Sequence, residues 1–317
     1  MRRLIGLILA PLVTGATLLA AQTVETAIAK ELDGLKAKSS FYAKQLKTGK
    51  TIEIRADQPM NTLSVIKIPV MIQAFKDAEA GKLNLATRYT IKPEDRRRGS
   101  GLLQTFDVGL SPTYRDLIEQ MIITSDNTAT DLLIKTVGLP NVNKLLAAGG
   151  YKDTRLKGTT GELFREVWIR ADPKNKSMSD AEVFDKGFPT RSDMSAITFK
   201  LEGDSTKWLG RTTAREIARL IEEIYSGKFA SKEHSAQMID IMKRQFYSSR
   251  LPQRLAGVEI AHKTGDWPPF AGNDVGIIFA PSGPIVVAVF TNQNTGSFFE
   301  LEAAEGRIAE HLVKDWK

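Results

Sequence analysis

The sequence predicts a mixed α/β protein in which one sheet is assembled from both ends of the chain and a helical lobe is inserted between its halves. Three observations carry that expectation: a helix and a hairpin pattern at the start, amphipathic helices through the middle, and strands followed by a helix at the end. No Gly/Ser-rich linker separates these parts and no segment repeats, so a cleft between the lobes is the natural place for a site.

Arg2 and Arg3 precede an acid-free apolar run from Leu4 to Leu19, closed by Ala20 and Ala21. That is the pattern of an export signal, cleaved near Ala21, and the run is short for a membrane span. The expected product is a periplasmic or secreted domain over 22–317 without stable membrane insertion. Its 42% hydrophobic content can bury a large core, so the absence of cysteine is no handicap outside the cell. Loss of Arg2 and Arg3 lowers the formal charge from +7 by two, and Arg96-Arg97-Arg98 is the longest basic run, read as a solvated loop. Nothing here calls for a nucleic-acid partner, and a monomer is expected.

Apolar residues at Val24, Ala27, Ile28, Leu32 and Leu35 recur with helical spacing over Val24 to Lys36. Phe41 to Leu46 and Thr51 to Ile54 flank the turn Lys47-Thr48-Gly49-Lys50 as a hairpin. Ser64 stands just ahead of a helical stretch that runs to about Ala80, and Thr113 to Gly150 is helical with breaks at Ser125-Asp126-Asn127 and Gly138-Leu139-Pro140. Thr212 to Tyr225 is an amphipathic helix closed by Gly227. Strands follow at Val258 to Lys263, Val275 to Ala280 and Ile285 to Thr291, with Pro281-Ser282-Gly283-Pro284 as a tight connection, then a helix over Leu301 to Val313. The sheet lobe is expected from about 22–58 and 213–317, and the helical lobe from about 59–212.

Ser64-Val65-Ile66-Lys67, Ser125-Asp126-Asn127 and Lys263-Thr264-Gly265 occur in that order. Together they supply a nucleophile, a base, a proton shuttle, an amide clamp and a cation, the set a serine acyl-transfer enzyme needs. Ser64 at a helix start lies over unsatisfied N–H groups and the positive end of the dipole. Lys67 falls on nearly the same face and can take the hydroxyl proton if burial and a neighbouring cation lower its pKa. Ser125 can relay a proton to a leaving nitrogen, and Asn127 can hold a substrate amide. Asp126 is read as structural, bonding its own turn. Lys263 supplies charge to Ser125 and to a substrate carboxylate, Thr264 a hydroxyl donor, and Gly265 a close backbone approach. The copy Lys47-Thr48-Gly49 precedes the serine on a hairpin and receives no chemistry. His234, His262 and His311 lack metal-ligand spacing, so neither a metal nor another cofactor is expected, and His262, beside Lys263 on a strand, should point to the opposite face.

The motifs, together with Met121-Ile122-Ile123-Thr124-Ser125-Asp126-Asn127-Thr128-Ala129, Gly149-Gly150-Tyr151-Lys152-Asp153-Thr154-Arg155-Leu156 and Asn273-Asp274-Val275-Gly276, resemble those of class A β-lactamases over nearly the whole chain. The resemblance implies an αβα sandwich with a five-stranded antiparallel sheet beside a helical lobe. It also implies that Ser64 is acylated by a β-lactam or related amide, with its own N–H and that of Asp266 as oxyanion donors. Two departures stand out. Aligned from Leu156, Thr160 takes the place of the glutamate that activates the deacylating water, and Phe164 that of an asparagine. Thr160 cannot be that base at neutral pH. Glu162 or Glu166 could substitute only if the loop is rebuilt, and the 55 residues of 157–211 leave room for that. The insert, with Trp168, Pro173, Phe188, Pro189 and Trp208, is expected either as a wall beside Ser64 or as a packed excursion.

The second departure is Asp266, an acid beside an oxyanion site, which opposes the developing charge unless it turns away. Trp267-Pro268-Pro269-Phe270 then offers either an aromatic rim or core packing. The leading expectation is a serine hydrolase that acylates well and deacylates slowly. The rivals are a D-alanyl-D-alanine peptidase or penicillin-binding protein, an esterase, and a β-lactam or cell-wall sensor that keeps its adduct.

Overall fold

A strand that is apolar at every position needs cover on both faces. In Gly283–Asn292 the residues Ile285, Val287 and Val289 enter one hydrophobic cluster, while Val286, Ala288 and Phe290 enter another. The two clusters are the two layers of a sandwich. The computed structural model describes residues 24–316, and the export signal expected over 1–21 lies outside them.

In chain order the elements are α1 (24–33), β1 (Lys38–Gln45), β2 (Thr51–Ile54), β3 (Met60–Asn61), α2 (Lys67–Glu79), α3 (Tyr114–Ile123), α4 (Asn127–Val137) and α5 (Leu139–Ala148). There follow β4 (Arg155–Leu156), α6 (Thr160–Ala171), α7 (Asp180–Lys186), α8 (Met194–Gly203), β5 (Gly210–Thr212), α9 (Ala214–Tyr225) and α10 (Lys232–Lys243). The chain closes with β6 (Ile260–Trp267), β7 (Ala271–Ala280), β8 (Gly283–Asn292) and α11 (Phe298–Asp315). The main sheet has the order β2-β1-β8-β7-β6 with every pairing antiparallel, so both ends of the chain build it. Val24, Ile28 and Leu32 of α1 cover one face with Ile308 and Leu312 of α11. Ile217, Leu220 and Ile221 of α9 belong to the core on the other face, which continues into α2, α3 and α4. Among the described residues no helix is long and apolar enough to cross a membrane.

Differences from the sequence reading have local causes. The first helix ends at 33 rather than 36. Strand β6 runs on to Trp267, so Lys263-Thr264-Gly265 lies within a strand and not at its end. The three-stranded sheet β3-β5-β4 joins the lobes through pairings such as Met60 with Thr212 and Leu156 with Gly210.

The basic run is not a solvated loop. Arg97 Nε donates to Asp131 Oδ2 at 2.7 Å and Arg97 also pairs with Asp180 at 2.7 Å, while Arg96 and Arg98 clasp the Phe184 ring at 4.1 and 4.4 Å. These contacts tie α7 of the insert to α4. Asp131 also accepts from Thr160 N and Oγ1, each at 2.8 Å, and from Gly161 N at 2.9 Å, which satisfies the orphan donors where α6 begins. Its carboxylate is 6% exposed. Asp131→Ala leaves Arg97 with Asp180 as its remaining carboxylate partner and takes the acceptor from the first N–H groups of α6, so urea denaturation should show a loss of about 1–3 kcal/mol. Arg244→Ala, at a surface pair, should stay within about 0.5 kcal/mol. Equal effects would show that Asp131 does not anchor the insert.

Candidate active site

Ser64 lies in a single 3-10 turn, Leu63–Ile66, that runs directly into α2 at Lys67. Leu63 takes a left-handed φ of 46° where the chain turns out of β3, a costly conformation held by the buried side chains of Leu63, Val65 and Ile66. β6 presses against this turn. A Cβ on Gly265 would lie 2.5 Å from the Thr62 carbonyl oxygen and 3.2 Å from Ser64 N. On the side a Cβ would take, the glycine expected to admit a substrate backbone admits the chain's own backbone.

Between α3 and α4, Ser125 has a φ of 57°, again left-handed. Asp126 fixes the break as expected of a structural residue: Oδ1 accepts from Ala129 N at 2.9 Å and Oδ2 from Leu103 N at 2.7 Å. The strained turn aims Ser125 between two lysines. Lys67 Nζ and Lys263 Nζ each donate to Ser125 Oγ at 3.1 Å. Lys67 also donates to the Ser125 carbonyl at 2.7 Å and to Asn127 Oδ1 at 2.9 Å, and Lys263 to the Thr264 carbonyl at 2.8 Å. The Asn127 amide in turn donates to the Arg98 carbonyl at 2.9 Å, which fixes which of its atoms faces Lys67.

Both lysines are fully buried. Burial, and next the charge of Lys263, push the Lys67 amine well below the ordinary lysine range. Burial likewise lowers Lys263, to about 7, against the opposing pull of the Asp266 and Asp274 carboxylates. Lys263 is thus a titratable cation rather than a fixed one. His262 points away from the lysines' side, buried, with Nδ1 2.8 Å from Asp274 Oδ1.

Ser64, Ser125 and Asn127 open into a cavity of about 520 Å³. Thr160, Leu163, Phe164, Phe188 and Leu209 of the insert also line it, so the insert is a wall of the cavity and not a distant excursion. Phe164 stacks at 6.3 Å on Trp267, which with Pro268 forms part of the rim, whereas Phe270 packs on Phe199 of α8 at 5.2 Å.

The two glutamates expected as substitute bases do not line this cavity. Glu162 caps α6, accepting from Thr159 N at 2.8 Å, and Glu166 is paired with Arg170 at 3.1 Å and Lys207 at 2.9 Å. Helix formation explains both positions, since an N-terminal acid is drawn to its own cap and one four residues later to the arginine a turn beyond it.

Asp266 turns to Arg250, with Oδ1 2.6 Å from Nη1. Arg250 is 2% exposed, and Glu302 at 3.2 Å and Glu305 at 3.9 Å complete its surroundings. No motif or periodicity marks Arg250 in the sequence. Thr264 Oγ1 is buried and finds no hydrogen-bond partner among the described residues.

A model of the beta-lactamase enzyme family matches residues 23–316. Beta-lactamase VEB-1 of Pseudomonas aeruginosa is 21% identical over 253 residues, which span 77% of this chain and 74% of that protein. Among solved structures, a β-lactamase from Sphaerobacter thermophilus is 26% identical and superposes with a TM-score of 0.74, covering 93% of this chain and 97% of its own. PBP-A, in a variant captured as an acyl-enzyme with penicillin G, is 21% identical with a TM-score of 0.70 over 94% and 96% of the two chains.

Gly265→Ala drives a methyl group into the Thr62 carbonyl, and overpacking of this kind costs about 1–3 kcal/mol. Chemical denaturation of the variant should report that loss. Wild-type stability would mean that β6 and the Ser64 turn are not in contact.

Proposed function

Since the chain belongs to the beta-lactamase enzyme family, as a serine hydrolase with the class A fold, we propose that Ser64 is acylated by a β-lactam or a related amide and that release of the acyl group is the slower half of the cycle. The observation that carries this reading is the Ser125 hydroxyl held by two buried amines of depressed basicity.

Attack by Ser64 Oγ on the carbonyl carbon releases a proton to the neutral Lys67 amine, a form that burial and the neighbouring Lys263 charge favour. The Ser64 and Asp266 N–H groups receive the oxyanion. When the carbon–nitrogen bond breaks, the leaving nitrogen takes a proton from Ser125 Oγ, and Lys67 returns one to Ser125. Lys263 as a cation stabilises this hydroxyl while it is short of a proton.

Water must then cleave the ester. On the wall where a base would be useful stand the Thr160 hydroxyl, already donating to Asp131 at 2.8 Å, and the Phe164 ring. The carboxylates that do line the cavity, Asp266 and Glu302, are engaged by Arg250. Lack of a positioned base slows a step by about 10²–10⁴. The same arrangement favours a second reading, a penicillin-binding peptidase in which Lys67 serves both steps. The charged, then apolar, then small-residue start of the sequence supports export to the periplasm or medium.

Exposure to penicillin G followed by intact-mass measurement should show a persistent adduct, absent in Ser64→Ala, with slow turnover of a chromogenic cephalosporin. An adduct in Ser64→Ala would remove the nucleophile, and rapid turnover without accumulation would remove the slow second step.

The acylation rate also has a signed pH dependence. A depressed Lys67 gains activity as pH rises through its pKa, whereas Lys263 loses its proton above about 7 and takes its charge from Ser125. Stopped-flow measurement of kcat/KM should therefore fall on the alkaline side of neutrality, because this parameter follows the free enzyme. A profile flat from about pH 6 to 9 would show that the Lys263 charge is not needed.

A further inference from the structure

Arg250 is the buried guanidinium of the cavity, the kind of group that would grip a carboxylate brought in by a substrate. It is already taken. Nη1 lies 2.6 Å from Asp266 Oδ1 and 3.2 Å from Glu302 Oε1, and all three residues line the cavity. Glu302 also accepts from Ser249 Oγ at 2.5 Å, and the fully buried Glu305 stands 3.9 Å behind the guanidinium. One cation thus faces three acids.

Thr264 and Asp266, two apart on β6, project from the same face. The Thr264 hydroxyl is buried, finds no hydrogen-bond partner among the described residues and lies outside the cavity lining. The lining beside Asp266 is apolar through Leu163, Phe164, Phe188, Leu209, Trp267 and Phe298.

We propose that Asp266 is an internal carboxylate that fills the anion site at Arg250, so that the cavity selects apolar acyl donors that are uncharged beside the scissile bond. The inference rests on the acylation of Ser64 proposed above and names the substrate class for it. A substrate carboxylate entering here must displace a charge-assisted hydrogen bond and then sit against Asp266 and Glu302 where little water screens the repulsion. A neutral ester meets neither obstacle. For an ester the balance is simple. The Ser64 Oγ–acyl bond forms, the ester carbon–oxygen bond breaks, the alcohol leaves with a proton relayed through Ser125, and water later frees the acid.

A matched pair tests this: benzylpenicillin and its methyl ester, which differ only in the carboxylate. Acylation rate constants at Ser64 are read by intact mass at one pH and divided by each compound's rate with hydroxide. The wild-type protein should favour the methyl ester by about tenfold, the contribution of one charge-assisted hydrogen bond. Asp266→Asn should move the ratio of ester to free acid about tenfold toward the acid, and Glu302→Gln should move it less in the same direction. If Asp266→Asn does not fold, the wild-type ratio and Glu302→Gln decide.

A wild-type preference for the free acid, or ratios unmoved by both substitutions, would overturn the internal carboxylate while leaving acylation intact. No adduct with either compound would remove the acylation of Ser64 and this inference with it.

Discussion

Two amines buried within reach of one hydroxyl set the terms for the rest of this molecule. Lys67 comes from α2, Lys263 from β6 and Ser125 from the break between α3 and α4, so the contact exists only when both lobes are in place. Each ammonium would be costly to bury as a cation, and the structure answers in two ways. Carbonyl and amide oxygens accept from the two amines, and burial depresses the basicity of each, so that each sheds its proton more readily than an exposed lysine. The second answer turns a stability problem into chemistry, because an amine that sheds its proton is a base.

The backbone around this contact is correspondingly tight. Leu63 and Ser125 both take left-handed conformations, and Gly265 leaves room for nothing more than hydrogen against the Ser64 turn. Such positions persist only when their surroundings over-determine them, here the core residues Val65 and Ile66 that follow Leu63 and the double cap supplied by Asp126. The insert extends the same logic outward. Asp131 receives the start of α6, Arg97 neutralises it, and the helix so anchored presents Thr160 and Phe164 to the cavity.

Much of this was legible in the sequence because it depends on neighbours along the chain. The alternating faces of β8, the stripe of α9 and the cap of α4 are local patterns, and the motif serines and lysines stand on them. Helix α10 was not, because its first turn, Lys232-Glu233-His234-Ser235, is polar and its buried residues crowd into the second half. Strands β3, β4 and β5 are too short to show a period. Arg250, Asp131 and the partners of Arg96-Arg97-Arg98 act across long separations, where a single sequence carries no signal of who will meet whom. Glu162 and Glu166 were open candidates for a base for the same reason: their distance from Ser64 is a property of the folded helix, which spends both on its own cap and surface.

β6 is the last strand of the five-stranded sheet, and the face on which Gly265 would carry a Cβ lies against the turn that holds Ser64. That same face continues through Ala261, Val275 and Ile277 into the core shared with α2, α3 and α4. If those helices loosened while the sheet held, this apolar face would be uncovered, and exposed apolar surface of that kind promotes self-association. Packing of the nucleophile's turn against Gly265 therefore also guards the protein against aggregation, which ties solubility to the same close contact that shapes the reactive centre.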